Sequence, residues 1–230
     1  MATFNIIRPA AKVCYFPLIR NVTYRNSSMS SKQLVFSEYG DPLKVVKLEQ
    51  KTLSEPKENE VLVRMLAATV NPADINTIQG SYAVKPQLPC IGGNEGVGEI
   101  EKVGAAVTEL KKGDRVLPKV NAWGTWRTHA VCDSKQLYKI SGDLDVVEAA
   151  TFSVNPGTAY RMLKDFVKLQ SEDTVIQNGA NSAVGQCVIQ LCKAWGISSV
   201  NIVRKRDNIG ELKDYLTGLG ATHVLTEEEL

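Results

Sequence analysis

From Asp173 to Leu225 the chain alternates short apolar runs with longer helical periods, and this alternation restricts the fold more than any other feature. "DTVIQN" reads as a buried strand, "SAVGQCVIQLCKAWG" as a helix closed by Gly196, and "SVNIVRK" as a second strand. "NIGELKDYLTGLG" follows as a helix closed by Gly220, and "THVL" as a third strand. Strands separated by helices of about 10–15 residues specify a parallel, doubly wound sheet. The strands fall near 174–178, 199–203 and 223–225, which is one half of the usual double unit.

The chain upstream has a different grammar. "QLVFSEYGDPLKVVKL" predicts two strands around a turn at Gly40-Asp41-Pro42, and "EVLVRMLAATV" is an apolar, valine-rich strand. Asn71-Pro72 marks a turn before a short helix that starts near Ala73. A strand runs out of "GGNEGVGEIEKVG", and the turn at Gly113-Asp114 feeds another. Many short strands at even spacing predict a β-rich, barrel-like domain over 32–150. Residues 148–169 read as largely helical, interrupted at Asn155-Pro156-Gly157, and 151–230 as a nucleotide-binding unit.

The first 37 residues stand apart. Arg8, Lys12, Arg20, Arg25 and Lys32 are interspersed with apolar residues, no acid precedes Glu38, and a serine-rich patch spans Ser27 to Ser31. That composition is that of a mitochondrial transit peptide, assigned here to 1–31 with the matrix as destination, a disordered basic tail being the alternative. A net charge of +2 gives no footing for nucleic-acid binding, and no run reaches the roughly 18 apolar residues of a membrane span. The five cysteines, an odd and scattered set, argue against a disulfide framework. With only His129 and His223 beside them, no spacing suggests a metal site.

Between the first predicted strand and its helix lies "QNGANSAVGQ". If Gly185 is the last glycine of a G-x-G-x-x-G fingerprint, the other two positions hold Ala180 and Ser182, both small. A pyrophosphate would then rest on the amides at the start of helix 183–195; a turn that serves packing alone fits the same letters. About 20 residues on, where an acid would hold the ribose of NAD, the chain reads Arg204-Lys205-Arg206. Cations there favour the 2′-phosphate of NADPH, although a solvated basic turn has the same composition.

Taken together, "NPADINTIQGSY", "GGNEGVGEI", "GTWRTHAV", "VNPGTAYRML" and "VIQNGANSAVGQ" resemble the mitochondrial trans-2-enoyl-CoA reductases, zinc-free members of the medium-chain dehydrogenase/reductase superfamily. The resemblance runs from about Lys32 to the end of the chain. It implies an α/β chain: a β-rich, barrel-like (GroES-like) catalytic domain plus a partial doubly wound parallel (Rossmann) sheet. Asn71 and Asn94 stand where zinc-dependent relatives place a cysteine and a histidine, so no metal is expected. The resemblance also implies NADPH-dependent reduction of trans-2-enoyl thioesters of coenzyme A or acyl carrier protein. Hydride goes to the β-carbon and Tyr82 protonates the α-carbon. It further implies cofactor contacts from Asn155, from Asn181, Ser182, Ala183 and Val184, and from Arg204, Lys205 and Arg206, with Gly124 to Trp126 lining the cleft.

The full-length family member is expected to be a homodimer. By strand count the chain reads as a C-terminally truncated form lacking the nicotinamide half, which would expose a strand edge and leaves its own turnover open. Two other readings remain: a quinone-oxidoreductase-like enzyme, and a non-catalytic isoform that acts as a binding partner.

Overall fold

The structure, a computed structural model, describes residues 13–14 and 29–230. The segment read as a transit peptide lies outside the described residues, apart from 13–14 and 29–31. The chain divides into two compact units, one running to Thr151 and the other from Phe152 to Leu230.

The first unit is built from β1 (Val13–Cys14), β2 (Ser30–Phe36), α1 (Pro42–Val45), β3 (Val46–Thr52), β4 (Glu60–Thr69) and α2 (Pro72–Gln79). It continues with β5 (Cys90–Ile91), β6 (Gly96–Val103), β7 (Arg115–Pro118), β8 (His129–Asp133), β9 (Leu137–Ile140) and α3 (Val146–Ala150). β4 is the centre: it pairs antiparallel with β6 on one side and with β8 and β1 on the other, and β7 and β9 extend the sheet. β2 forms a hairpin with β3, register Ser30↔Thr52 to Phe36↔Val46, and also pairs with β5. The predicted turn at Gly40-Asp41-Pro42 becomes the one-turn helix α1, because Asp41 caps Leu43 N–H and Pro42 fits a first helical turn.

Val61, Val63 and Met65 recur with the period of two that puts side chains on one face, and they share a core with Ile100, Val116, Trp123 and Leu137. Ala67, Val97 and Leu117 pack instead on Ala149 and Ala150 of α3. Even spacing of strands says how many there are, not whether the last pairs with the first. Among the described residues no ladder joins β9 to β8, so the barrel-like domain does not close.

The second unit holds α4 (Asn155–Lys164), β10 (Thr174–Gln177), α5 (Ala183–Trp195), β11 (Ser198–Val203), α6 (Ile209–Leu219) and β12 (His223–Thr226). Its strands are parallel in the order β10-β11-β12, within a residue or two of the predicted spans. β10 lies at an edge of this sheet, where Ile176 is 61% exposed. The helical stretch departs from expectation in one respect. The break comes at 151–154, and Asn155-Pro156-Gly157 opens α4 rather than interrupting it. A proline lacks the N–H that a first helical turn leaves unpaired anyway, so it starts helices more readily than it breaks them there.

α5 is the hub of this unit. Val188 and Cys192 pack with Ala159 and Leu163 of α4, while Ile189 packs with Leu216 and Leu219 of α6. Ile189 is fully buried. Ile189→Ala is expected to destabilise the unit by about 2–5 kcal/mol, since the cavity cannot collapse between two helices. Chemical denaturation read by circular dichroism measures it.

Candidate active site

Tyr82 belongs to the first unit and stands just past α2. That helix ends at Gly80 in the left-handed conformation (φ 75°), and Ser81 N–H and Tyr82 N–H both donate to Asn76 C=O, at 3.0 and 3.2 Å. The Tyr82 side chain is 40% exposed.

Beneath α2 lies a buried polar cluster. Glu95, with no exposed surface, accepts at Oε1 from Asn71 Nδ2 (2.8 Å) and Thr69 Oγ1 (3.2 Å). Asp74, 2% exposed, accepts at Oδ2 from Asn71 N–H (2.7 Å) and at Oδ1 from Asn94 N–H (3.0 Å) and Asn94 Nδ2 (2.7 Å). Burial pushes the Asp74 carboxyl above its ordinary range, and those three donors pull against the rise. The side-chain amides of Asn71 and Asn94 are thus both committed to carboxylates.

The "GGNEG" segment is crowded. The Trp126 ring covers Gly92 and Gly93, and Trp126 Nε1 donates to Thr69 C=O at 2.7 Å. Thr125 Oγ1 donates to Glu95 C=O at 2.9 Å. Gly124 to Trp126, expected to line a cleft, therefore closes over this turn. Burial also raises the thiols of Cys90, Cys132 (to about 12) and Cys192 above the ordinary thiol range.

The phosphate-binding residues expected from the sequence lie in the second unit. The register Gln177↔Asn201 puts the ends of β10 and β11 at one carboxyl edge, so the turn at 178–182 and the segment Arg204–Arg206 leave the sheet side by side. Ala180 N–H donates to Ile202 C=O at 3.3 Å, and Gly179 adopts φ 58°. Ser182 caps α5 by accepting from Gly185 N–H at 3.1 Å. A Cβ on Gly185 would lie 2.6 Å from the carbonyl oxygen of Ala180. Gly185 thus does the close-packing job of the fingerprint's last glycine against the backbone of Ala180, whose own side chain is buried with Ile189, Val203 and Leu216. Asn181, Ser182, Ala183 and Val184 form the lip at the helix N-terminus.

Of the three cations, Arg204 and Arg206 are exposed, and among the described residues no ion pair engages them. Lys205 is held by Glu228 at 2.8 Å. Asn155 is the first residue of α4 and partly buried. The structure also reveals braces that the sequence did not suggest. Gln186 Nε2 donates to Asn181 C=O (2.9 Å) and its Oε1 accepts from Tyr215 OH (3.0 Å). Gln177 Nε2 donates to Gly185 C=O (3.0 Å) and Asn201 Oδ1 (2.8 Å). Glutamines inside helical and strand periods look like surface residues, whereas Asp74, three residues past the helix cap Asn71, carries a capping signal in its spacing. Gly185→Ala is expected to lose about 1–3 kcal/mol of stability by overpacking against Ala180. A thermal melt beside wild type reads this, and an unchanged melt would show that the turn can yield.

Residues 57–143 match the alcohol dehydrogenase GroES-like domain model. The chain is 48% identical over 220 residues to the human mitochondrial enoyl-[acyl-carrier-protein] reductase, covering 96% of this chain and 59% of that protein. Candida tropicalis Etr1p, solved with NADP and crotonyl-CoA, superposes with a TM-score of 0.82 at 36% identity, over 87% of this chain and 61% of that one. A quinone oxidoreductase of Pseudomonas syringae pv. Tomato DC3000 matches with a TM-score of 0.74 at 27% identity, over 85% and 58%. The chain thus spans about three fifths of the length of these proteins. Over that shared span its sequence and its two units make it a homologue of the mitochondrial enoyl thioester reductases, of the medium-chain dehydrogenase/reductase superfamily.

Proposed function

We propose that this chain carries the NADPH-binding and proton-donating parts of a mitochondrial matrix reductase acting on trans-2-enoyl thioesters of coenzyme A or acyl carrier protein. The observation that carries the reading is the shared carboxyl edge of β10 and β11. There the capped N-terminus of α5 and two exposed arginines leave the sheet together. A helix N-terminus favours a pyrophosphate, and an arginine fork favours a terminal phosphate ester. Asn181, Ser182, Ala183 and Val184 would hold the pyrophosphate, and Arg204 and Arg206 the 2′-phosphate. Lys205, tied to Glu228, would add charge rather than a direct contact. Asn155 is assigned to the nicotinamide end by resemblance. When bound, NADPH supplies the hydride that reduces the β-carbon.

Tyr82 supplies the proton that the α-carbon needs once the β-carbon is reduced, and so completes the addition of two hydrogens across the double bond. Its exposed phenol, on a backbone anchored to α2, suits a donor that must reach a bound substrate. The relatives named as mitochondrial and the NADP and crotonyl-CoA held by Etr1p support the compartment, the cofactor and the thioester class. A homodimer is part of the same reading.

The test is NADPH oxidation, followed by absorbance, with a short trans-2-enoyl thioester. Tyr82→Phe is expected to lower kcat by about 10²–10⁴ while leaving KM nearly unchanged. Exchanging Arg204 and Arg206 together for alanine is expected to weaken NADPH binding by about 10–100-fold and NADH binding hardly at all. The likeness to a quinone oxidoreductase supports a second reading. Quinone turnover indifferent to Tyr82→Phe, with no thioester turnover, would select it.

A further inference from the structure

We infer that Asp74 and Asn94 form a clamp that positions α2, and through it Tyr82, against the turn at 92–96. The inference rests on Tyr82 being the proton donor proposed above.

α2 is pinned at both ends by different devices. At its start, both oxygens of the Asp74 carboxylate are occupied by donors from two segments: Asn71 N–H before the helix, and Asn94 N–H and Nδ2 from the turn. The Asn94 amide passes the linkage on, since its Oδ1 accepts from Ala122 N–H at 3.2 Å. Ala122 itself adopts φ 54°, an uncommon conformation for a residue with a Cβ. At the helix's end, the carbonyl of Asn76 receives the N–H groups of Ser81 and Tyr82.

Eight helical residues span only about 12 Å and form a stiff rod. A tilt permitted at Asp74 therefore reaches Tyr82 undiminished. Asp74, Asn94 and Ala122 line, with Thr77 and Ile78, a cavity of about 10 Å³. That is room for one water and no substrate. Asp74 is for this reason a positioning residue and not a catalytic one.

The experiment compares wild type with Asp74→Asn, Asn94→Ala and Asp114→Asn in the full chain. Asp114 is a buried carboxylate of the same unit that accepts from Lys111 N–H and pairs with Lys139, so it controls for general loosening. In Asp74→Asn and Asn94→Ala, amide hydrogen exchange at Ser81 and Tyr82 is expected to quicken by about tenfold, with β4 and β6 as protected as before. Asp114→Asn should leave residues 81–82 unchanged. Unaltered exchange there in both clamp variants overturns the inference. Should Asp74→Asn fail to fold, Asn94→Ala decides alone, because it keeps the carboxylate and the backbone donor. In turnover, Asp74→Asn is expected to lower kcat about tenfold with KM within about twofold, and to cost nothing further in a Tyr82→Phe background. Additive losses in that background would mean that Asp74 acts otherwise than through Tyr82. If wild type reduces no enoyl thioester, the proposed reaction fails while exchange still decides the clamp.

Discussion

A carboxylate survives in a dry interior only where donors are brought to it, and Glu95 and Asp74 impose that condition on the whole first unit. Donors to the two carboxylates come from the end of β4 at Thr69, the start of α2 at Asn71 and the crowded turn at 92–96. The loop carrying Thr125 and Trp126 joins them through the backbone carbonyls of Glu95 and Thr69. None of these segments has a long apolar face of its own. Their arrangement follows from hydrogen-bond satisfaction more than from hydrophobic packing, while the valine-rich strand β4 supplies the apolar wall beneath them.

The second unit solves a different problem with small residues. A helix must begin close above a sheet edge, and the chain achieves this with Ala180 facing Gly185 instead of with three glycines. Fewer glycines mean less conformational freedom to lose on folding. The braces from Gln177, Gln186 and Tyr215 then hold the turn from outside, a role that flexible glycines would leave to a bound ligand.

Much of this was legible in the letters. β10, β11, β12, α5 and α6 follow from periodicity and from glycines that close helices at 196 and 220, both in the left-handed conformation. The cations after β11 and the small residues at 180 and 182 pointed to the same edge that the structure assembles. What could not be read was pairing across distance. Asp74 and Asn94 lie 20 residues apart, and nothing in either neighbourhood announces the other. The letters place the helix interruption at Asn155-Pro156-Gly157 because Asn-Pro-Gly spells a turn locally, whereas the backbone makes the break at 151–154 and α4 opens at Asn155. The absence of barrel closure is of the same kind, a matter of which edges meet.

The buried side chain of Asn201 has a consequence for how reliably the second unit assembles. Its carbonyl oxygen accepts from Gln177 on β10, and its amide donates to Ser199 on its own strand and to His223 C=O on β12. A slip of either neighbour by one position would send Gln177 to the opposite face, or withdraw the His223 carbonyl, and strand an amide in the core. Asn201 thus works as a checksum on strand alignment. It penalises near-native competitors far more than it strengthens the correct state, and so widens the energy gap on which a unique fold depends.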